Sequence, residues 1–355
     1  MRILLASAVS LTVAEWFAFF YLSQVAFILF PPAIGSLLFF LGFAGRFLGS
    51  VVLGYFGDRF GTRASLVVTV LTLVSSSLVV SLVPSTPLVA VFRVIQGFSL
   101  GGEWGGASVA LSEAFSSSRF RVFLLSFIQL AVPIALTLST GAVLFLSSRH
   151  FEDWNYALLL VVLLSLLSIP LIKAPSRGGR EGYNLASALK EWKGILHAVG
   201  IKVSESANFY IFTSFVFSFA TASVSSDVLA SVLTQLVTMP LFGYLANQVG
   251  RKEVGLIGIA LFVVGAALLE GRLLLPGELV LSLSDSALYS PQSSILVDLF
   301  KGEYKHTNVN LSYQLASVLG GSLPPLVLSF TGYPIVYVVL PYALITALSF
   351  LKVKG

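Results

Sequence analysis

Four charged residues, Glu15, Arg46, Arg93 and Glu103, stand in or beside stretches that are otherwise almost wholly apolar. In the lipid-like surroundings such stretches imply, an ionisable group costs at least ~2.5 kcal/mol at the centre of a helix, and it is by default functional or paired. A carboxylate placed there can take up and release a proton, with its affinity set by desolvation and by the approach of a cation. Glu103 is the first candidate for that role and Glu15 the second, with Asp285 a further coupling candidate. The alternative is a static ion pair of Arg46 with Glu103 or Glu15 that holds the N-terminal half together. The Arg93 and Arg46 guanidinium groups can each take a carboxylate substrate in bidentate fashion, although Arg93 could instead snorkel to the outer interface. Lys202 and Glu205, three residues apart, can neutralise each other. Among uncharged groups, Asn208, Tyr210, Gln292, Tyr313 and Gln314 are candidate substrate contacts, or else hydrogen-bond a neighbouring helix.

These residues need apolar helices to position them. The chain has 355 residues, 56% hydrophobic and 10% charged, with a mean hydropathy of +0.93. Soluble domains carry about a quarter charged residues, so this composition excludes a water-facing protein and specifies an integral membrane protein. A spanning helix needs ~20 apolar residues, and twelve fit, at 4–29, 35–56, 64–83, 88–112, 122–146, 155–172, 200–221, 226–247, 254–271, 277–298, 307–330 and 334–351. The apolar runs are continuous rather than alternating, which favours helices over a barrel. The chain contains no cysteine, and His150, His197 and His306 are scattered, so neither a disulfide nor a metal centre is expected.

With the N-terminus inside, every Lys and Arg except Arg46, Arg93, Arg149 and Arg272 falls on the cytoplasmic side. The positive-inside rule then puts both termini in the cytoplasm, and the net charge of +5 reports topology rather than nucleic-acid binding. A rival reading makes roughly the first 20 residues a cleaved signal peptide, but the apolar run resumes after Glu15 and ends at Pro31-Pro32. The charged, glycine-containing stretch Lys173 to Lys193 divides the chain into an N-terminal six-helix bundle at 1–173, a cytoplasmic linker at 174–198 and a C-terminal six-helix bundle at 199–355. Within the linker, Leu185, Leu189, Trp192 and Ile195 have helical spacing that could make a short amphipathic helix on the membrane surface, but a plain connecting role is the favoured reading.

An internal repeat supports the two halves. Gly54 to Arg63, between spans two and three, matches Gly243 to Lys252, between spans eight and nine, at an offset of 189. Glu113, Phe115, Gln129, Leu130 and Ala131 match Asp298, Phe300, Gln314, Leu315 and Ala316 at an offset of 185. Parallel six-helix repeats are the build of transporters that rock about a substrate held near the midplane.

The Gly54-Tyr55-Phe56-Gly57-Asp58-Arg59-Phe60-Gly61-Thr62-Arg63 segment resembles the loop between the second and third helices of the major facilitator superfamily, with Thr62 in place of the first of a final basic pair. Glu15-Trp16-Phe17-Ala18-Phe19-Phe20, Gly42 to Gly49 and, most distinctively, Arg93 to Gly106 are similar to the metabolite:proton symporter branch. Ala18 removes an aspartate which that branch carries. The resemblance implies twelve transmembrane helices in two pseudo-symmetric bundles and a cytoplasmic gate. It gives Gly54, Asp58, Arg59, Gly61 and Arg63 gate roles, as a charged latch with glycines for close helix approach. Gly243, Asn247, Gly250, Arg251 and Lys252 form the second copy, weaker for want of an aspartate. Glu113, Arg119 and Asp298 lie on the same face and join the gate set.

The sequence therefore points to a secondary transporter of a small polar metabolite, an organic acid by preference, working by alternating access with proton coupling in the cell membrane, as a monomer. The alternatives are an uncoupled facilitator and a transporter-like nutrient sensor, the latter disfavoured by short tails. No Ser/His/Asp or metal grouping and no nucleotide motif supports an enzyme or a primary pump. The glycines of Gly97 to Gly106 are not followed by a Lys-Ser/Thr pair and serve helix packing rather than phosphate binding. No cofactor is expected.

Overall fold

The computed structural model describes residues 2–172, 185–216 and 224–353. Lys173, Arg177, Arg180 and Lys354 of the basic set, and residues 174–184 of the linker, lie outside the described residues. Among the described residues every regular element is helical. The first half comprises α1 (Arg2–Leu29), α2 (Pro32–Phe60), α3 (Thr62–Leu82), α4 (Thr86–Ala114), α5 (Arg121–Ser147), a 3-10 turn (Trp154–Leu158), α6 (Leu159–Leu166) and α7 (Ile169–Ile172). After α8 (Leu185–Ala188) and a 3-10 turn (Leu189–Glu191), the second half comprises α9 (Trp192–Thr213), α10 (Val224–Gln248), α11 (Arg251–Glu270), α12 (Leu274–Tyr289), α13 (Gln292–Leu299), α14 (Lys305–Gly321), α15 (Leu323–Thr331) and α16 (Ile335–Phe350). Among the described residues six of these helices are each long and apolar enough to cross a membrane; α4 and α9 are as long but more polar, and expected spans ten and eleven are each divided between two shorter helices.

Where spans break, proline chemistry accounts for it. Span ten divides into α12 and α13 at Pro291, which lacks an N–H; just before it, the Ser290 hydroxyl lies against the carbonyl oxygens of Ser286 and Met239. Span eleven divides at Ser322, ahead of Pro324 and Pro325. Pro32 instead opens α2 at its first turn, where the missing N–H costs nothing. Helix α9 begins at Trp192, ahead of the expected span start at 200; Lys193 and His197 lower the local hydropathy, which hides the first turns from a hydropathy reading without preventing helix formation. Trp192 and Leu189 are exposed whereas Ile195 is buried.

The chain packs as two units. One comprises Met1–Ser116, Ala131–Glu191 and Phe300–Gln314, the other Ser117–Leu130, Trp192–Leu299 and Leu315–Gly355. In the first, α2 and α4 meet through glycine. A Cβ on Gly97 would sit 2.1 Å from the Gly42 carbonyl oxygen, and one on Gly49 would sit 1.9 Å from that of Phe98. In the second unit α10 and α12 repeat the arrangement in the same register. The Ser282 hydroxyl donates to the Ser231 carbonyl at 2.6 Å, and these residues occupy the repeat positions of Gly97 and Gly42 at the offsets of 185 and 189. Glycine contact in one unit is thus replaced by serine hydrogen bonding in the other.

The repeat is also written in the backbone. Gly61 joins α2 to α3 at φ 92°, and Gly250, its counterpart, precedes α11 at φ 118°. Both lie in the left-handed region, where a side chain is strained.

Candidate functional site

In the first unit, α1, α2 and α4 bring Glu15, Arg46, Arg93 and Glu103 together inside the helices, each no more than 1% exposed. The carboxylates are tied across α1 and α4 by crossed hydroxyls. Thr12 of α1 donates to Glu103 Oε1 at 2.7 Å, and Ser99 of α4 donates to Glu15 Oε1. The second oxygen of each carboxylate is buried without a hydrogen-bond partner. Trp104, next to Glu103, stacks on Tyr313 at 4.1 Å between centroids.

The arginines do not pair with these carboxylates. Arg46 Nε donates to Gln314 Oε1 at 3.1 Å, and its guanidinium lies 4.9, 5.2 and 5.2 Å from the ring centroids of Trp16, Phe19 and Phe43. Arg93 Nη2 donates to Ser23 Oγ at 2.5 Å and Nε to the Leu38 carbonyl at 3.2 Å. Its guanidinium lies 4.5 Å from the same Phe19 ring. Nη1 of both arginines is buried and unsatisfied, and neither arginine forms an ion pair among the described residues. The static Arg46 ion pair considered from sequence is therefore absent: charges at one depth on different helices need not face each other, and here Arg46 turns to an aromatic cluster. Arg93 is buried, not snorkelling. Aromatic faces attract a desolvated cation by up to ~2 kcal/mol, but they leave its charge uncancelled, and two such guanidinium groups beside one ring suit an anion.

The second unit holds the remaining candidates. Lys202 and Glu205 of α9 form the ion pair their spacing suggested, with Lys202 Nζ 5.0 Å from the Tyr289 ring centroid. Asp285 Oδ2 accepts from Gln235 Nε2 at 2.9 Å, the partner that sequence did not reveal. Asn208 Nδ2 donates to the Leu281 carbonyl at 2.8 Å, the helix-to-helix alternative, while its Oδ1 is unsatisfied. Tyr210 is half-buried and packs edge-on against Phe209. Gln292 is fully buried with neither amide atom bonded.

The gate candidates fall into two clusters. In the first unit Asp58 accepts the His306 and Thr307 N–H groups, both at 2.8 Å, and so caps the first turn of α14, where a negative charge meets the helix dipole. The glycines make this possible: a Cβ on Gly54 would sit 2.6 Å from Thr307 Cα, and one on Gly57 would sit 2.6 Å from His306 Cγ. Thr62 shares a hydrogen bond with His306 Nε2 at 2.9 Å, and burial, aided by Lys305, holds the imidazole down at about 4. Glu113 lines the same recess as Asp58 and His306. Arg59 turns onto Tyr55 and Phe60 and Arg63 is exposed, so Asp58 latches onto backbone rather than arginine.

In the second unit Asn247 Oδ1 meets the Phe123 N–H at 3.5 Å near the start of α5, and its Nδ2 donates to the Arg119 carbonyl at 3.0 Å. A Cβ on Gly243 would sit 2.0 Å from Ser126 Oγ of α5. Asp298 is held between Arg121, at 2.8 Å, and Arg251, at 2.6 Å, with Lys252 half-buried beside Arg251. Sequence reasoning missed Thr12, Ser23, Ser99, Gln235, Arg121 and His306. Hydroxyls are too common in such helices to signal, Arg121 stands out only as one of the basic residues that set the topology, and His306 only as one of three scattered histidines.

Comparisons with known proteins identify the family and the fold. Residues 32–176 match the family model described as sugar (and other) transporter, and residues 222–354 match that of the Major Facilitator Superfamily. The inner membrane metabolite transport protein YhjE of Escherichia coli is 30% identical over 91% of this chain and 86% of its own length. The E. coli shikimate transporter is 25% identical, over 89% of this chain and 84% of its own. Among solved structures, a double Trp mutant of XylE has a TM-score of 0.75 at 16% identity, covering 99% of this chain and 94% of that one. The human organic anion transporter MFSD10 has 0.72 at 15%, covering 99% and 98%. With its six-helix repeat and a relative at this identity over nearly its whole length, the chain is a transporter, not an enzyme, and belongs to the major facilitator superfamily.

Proposed function

We propose that this protein carries a small organic acid across the cell membrane by alternating access, with proton coupling. The observation that carries the reading is the buried pair Arg46 and Arg93, which share the Phe19 ring, each with an unsatisfied Nη1. A carboxylate substrate supplies the acceptors these groups lack. Gln314, already bonded to Arg46, orients that guanidinium, and Ser23 and the Leu38 carbonyl orient Arg93. Glu103 and Glu15 offer the proton site: two desolvated carboxyls, each with one hydroxyl donor and one bare oxygen. A proton arriving there with the anionic substrate offsets its charge during passage. Relatives that match this chain include a citrate-proton symporter of Klebsiella pneumoniae and proline/betaine transporters, so the coupled mechanism and the carboxylate-bearing cargo both have precedents among them. The clusters around Asp58 and Asp298 serve as the cytoplasmic gate, with both termini on that side.

Uptake of labelled citrate and shikimate into proteoliposomes with an imposed pH gradient tests the proposal. Accumulation that follows the gradient and is lost in Arg93→Ala and Glu103→Gln is expected. Uptake that ignores the gradient and survives both carboxylate changes, Glu103→Gln and Glu15→Gln, refutes the coupling.

A further inference from the structure

Glu278, near the start of α12, has no part in the scheme above. It is 0% exposed. Its Oε2 lies 3.2 Å from the Ser231 hydroxyl of α10, a donor shared with the Val228 carbonyl at 2.8 Å, and its Oε1 is buried with no partner. No cation pairs with it among the described residues. Asp227, in the first turn of α10, is the titratable neighbour on that helix. On the other packed elements, Glu270 at the end of α11 is taken up by the Ile335 N–H at 2.6 Å, Arg272 is exposed, and the outer part of α9 offers only half-buried Tyr210.

The repeat gives this position meaning. At the offset of 185 that aligns α4 with α12, Glu278 occupies the place of Arg93. Its neighbours correspond as well. Arg93 packs on Gly42 and bonds the Leu38 carbonyl, and at the offset of 189 these positions are Ser231 and Asp227. One register of two helices therefore holds a guanidinium in one unit and a carboxyl in the other. Where Arg93 has an aromatic face and two acceptors, Glu278 has one shared hydroxyl, less than a buried carboxylate ion needs.

We infer that Glu278 is a second proton-binding site of the transporter, in the C-terminal repeat and separate from Glu15 and Glu103. The bound proton neutralises the carboxyl while it is enclosed, with Ser231 holding Oε2 and the proton occupying the bare side. Opening of this end of α12 to water lets the proton leave. The inference extends the proton coupling proposed above, and its test does not depend on it.

The probe is the proton itself, read by infrared difference spectroscopy of the purified protein between mildly acidic and alkaline buffer. Wild type should show a titrating protonated-carboxyl band component that is lost in Glu278→Gln, retained in Glu103→Gln, and shifted but present in Glu278→Asp, which guards against misfolding of the first variant. An unchanged set of carboxyl components in Glu278→Gln overturns the inference, as does a component that responds to sodium instead of pH. If the component behaves as expected while proteoliposome uptake ignores the pH gradient, the coupling proposal fails and this site stands.

Discussion

At the scale of single residues, Arg46 and Arg93 form no ion pair with Glu15 or Glu103 among the described residues, which suits the proposed division between substrate holding and proton holding. Arg93→Lys keeps a charge but cannot keep both the Ser23 and Leu38 contacts or the planar face against Phe19. Losing part of a buried charged contact costs ~2 kcal/mol or more, so the half-saturation concentration for a carboxylate substrate should rise by roughly 30-fold, measured by uptake. Glu103→Gln should abolish gradient-driven accumulation while leaving exchange of labelled for unlabelled substrate across the liposome membrane intact, because exchange needs no net proton movement. Glu15, Arg46, Arg93 and Glu103 were legible in sequence because a charge in an apolar run is conspicuous. Their partners were not. Nothing local distinguishes Thr12 or Ser99 from the many other hydroxyls of these helices, and the direction in which Arg46 points is fixed by tertiary packing against Trp16 and Phe43.

At the scale of elements, the glycine-containing motif at 54–63 is a device for holding a helix end. Asp58→Ala removes the acceptor of two N–H groups at the start of α14 and should cost ~1–2 kcal/mol, as a lost helix cap does, read as a lower melting temperature. Asp58→Asn, which keeps an acceptor oxygen, should cost less. His306 adds a pH dependence. Its folded value of about 4 lies below the ordinary 6.5, so the stability it contributes is complete above the ordinary value and is lost as pH falls toward about 4. The span of that shift corresponds to on the order of 3 kcal/mol. The acid-induced fall in melting temperature should flatten in His306→Gln. The glycine pattern of Gly54, Gly57 and Gly61 announced close packing and a turn, yet which helix arrives there is a long-range fact. The helix boundary at Pro32 was legible in the Pro31-Pro32 turn, whereas the expected span ten runs straight across Pro291 and the early start of α9 was masked by Lys193 and His197.

At the scale of the whole molecule, the two repeats keep one packing register and vary its chemistry. Gly42 and Gly97 become Ser231 and Ser282, Asp58 becomes Asn247, and Arg93 becomes Glu278. The composition that excludes a soluble protein and the repeat that implies two bundles were both readable from residue order, because hydropathy and periodicity are local sums. The identity of the cargo was not, since it depends on which unsatisfied groups converge. The measurement closest to the central claim is uptake of labelled citrate or shikimate by proteoliposomes at a fixed membrane potential while only the pH gradient is varied. Accumulation should rise with inward proton gradient in wild type and fall to the protein-free level in Arg93→Ala. Uptake that is indifferent to the gradient and unaltered by that substitution would contradict a proton-coupled carrier of organic acids.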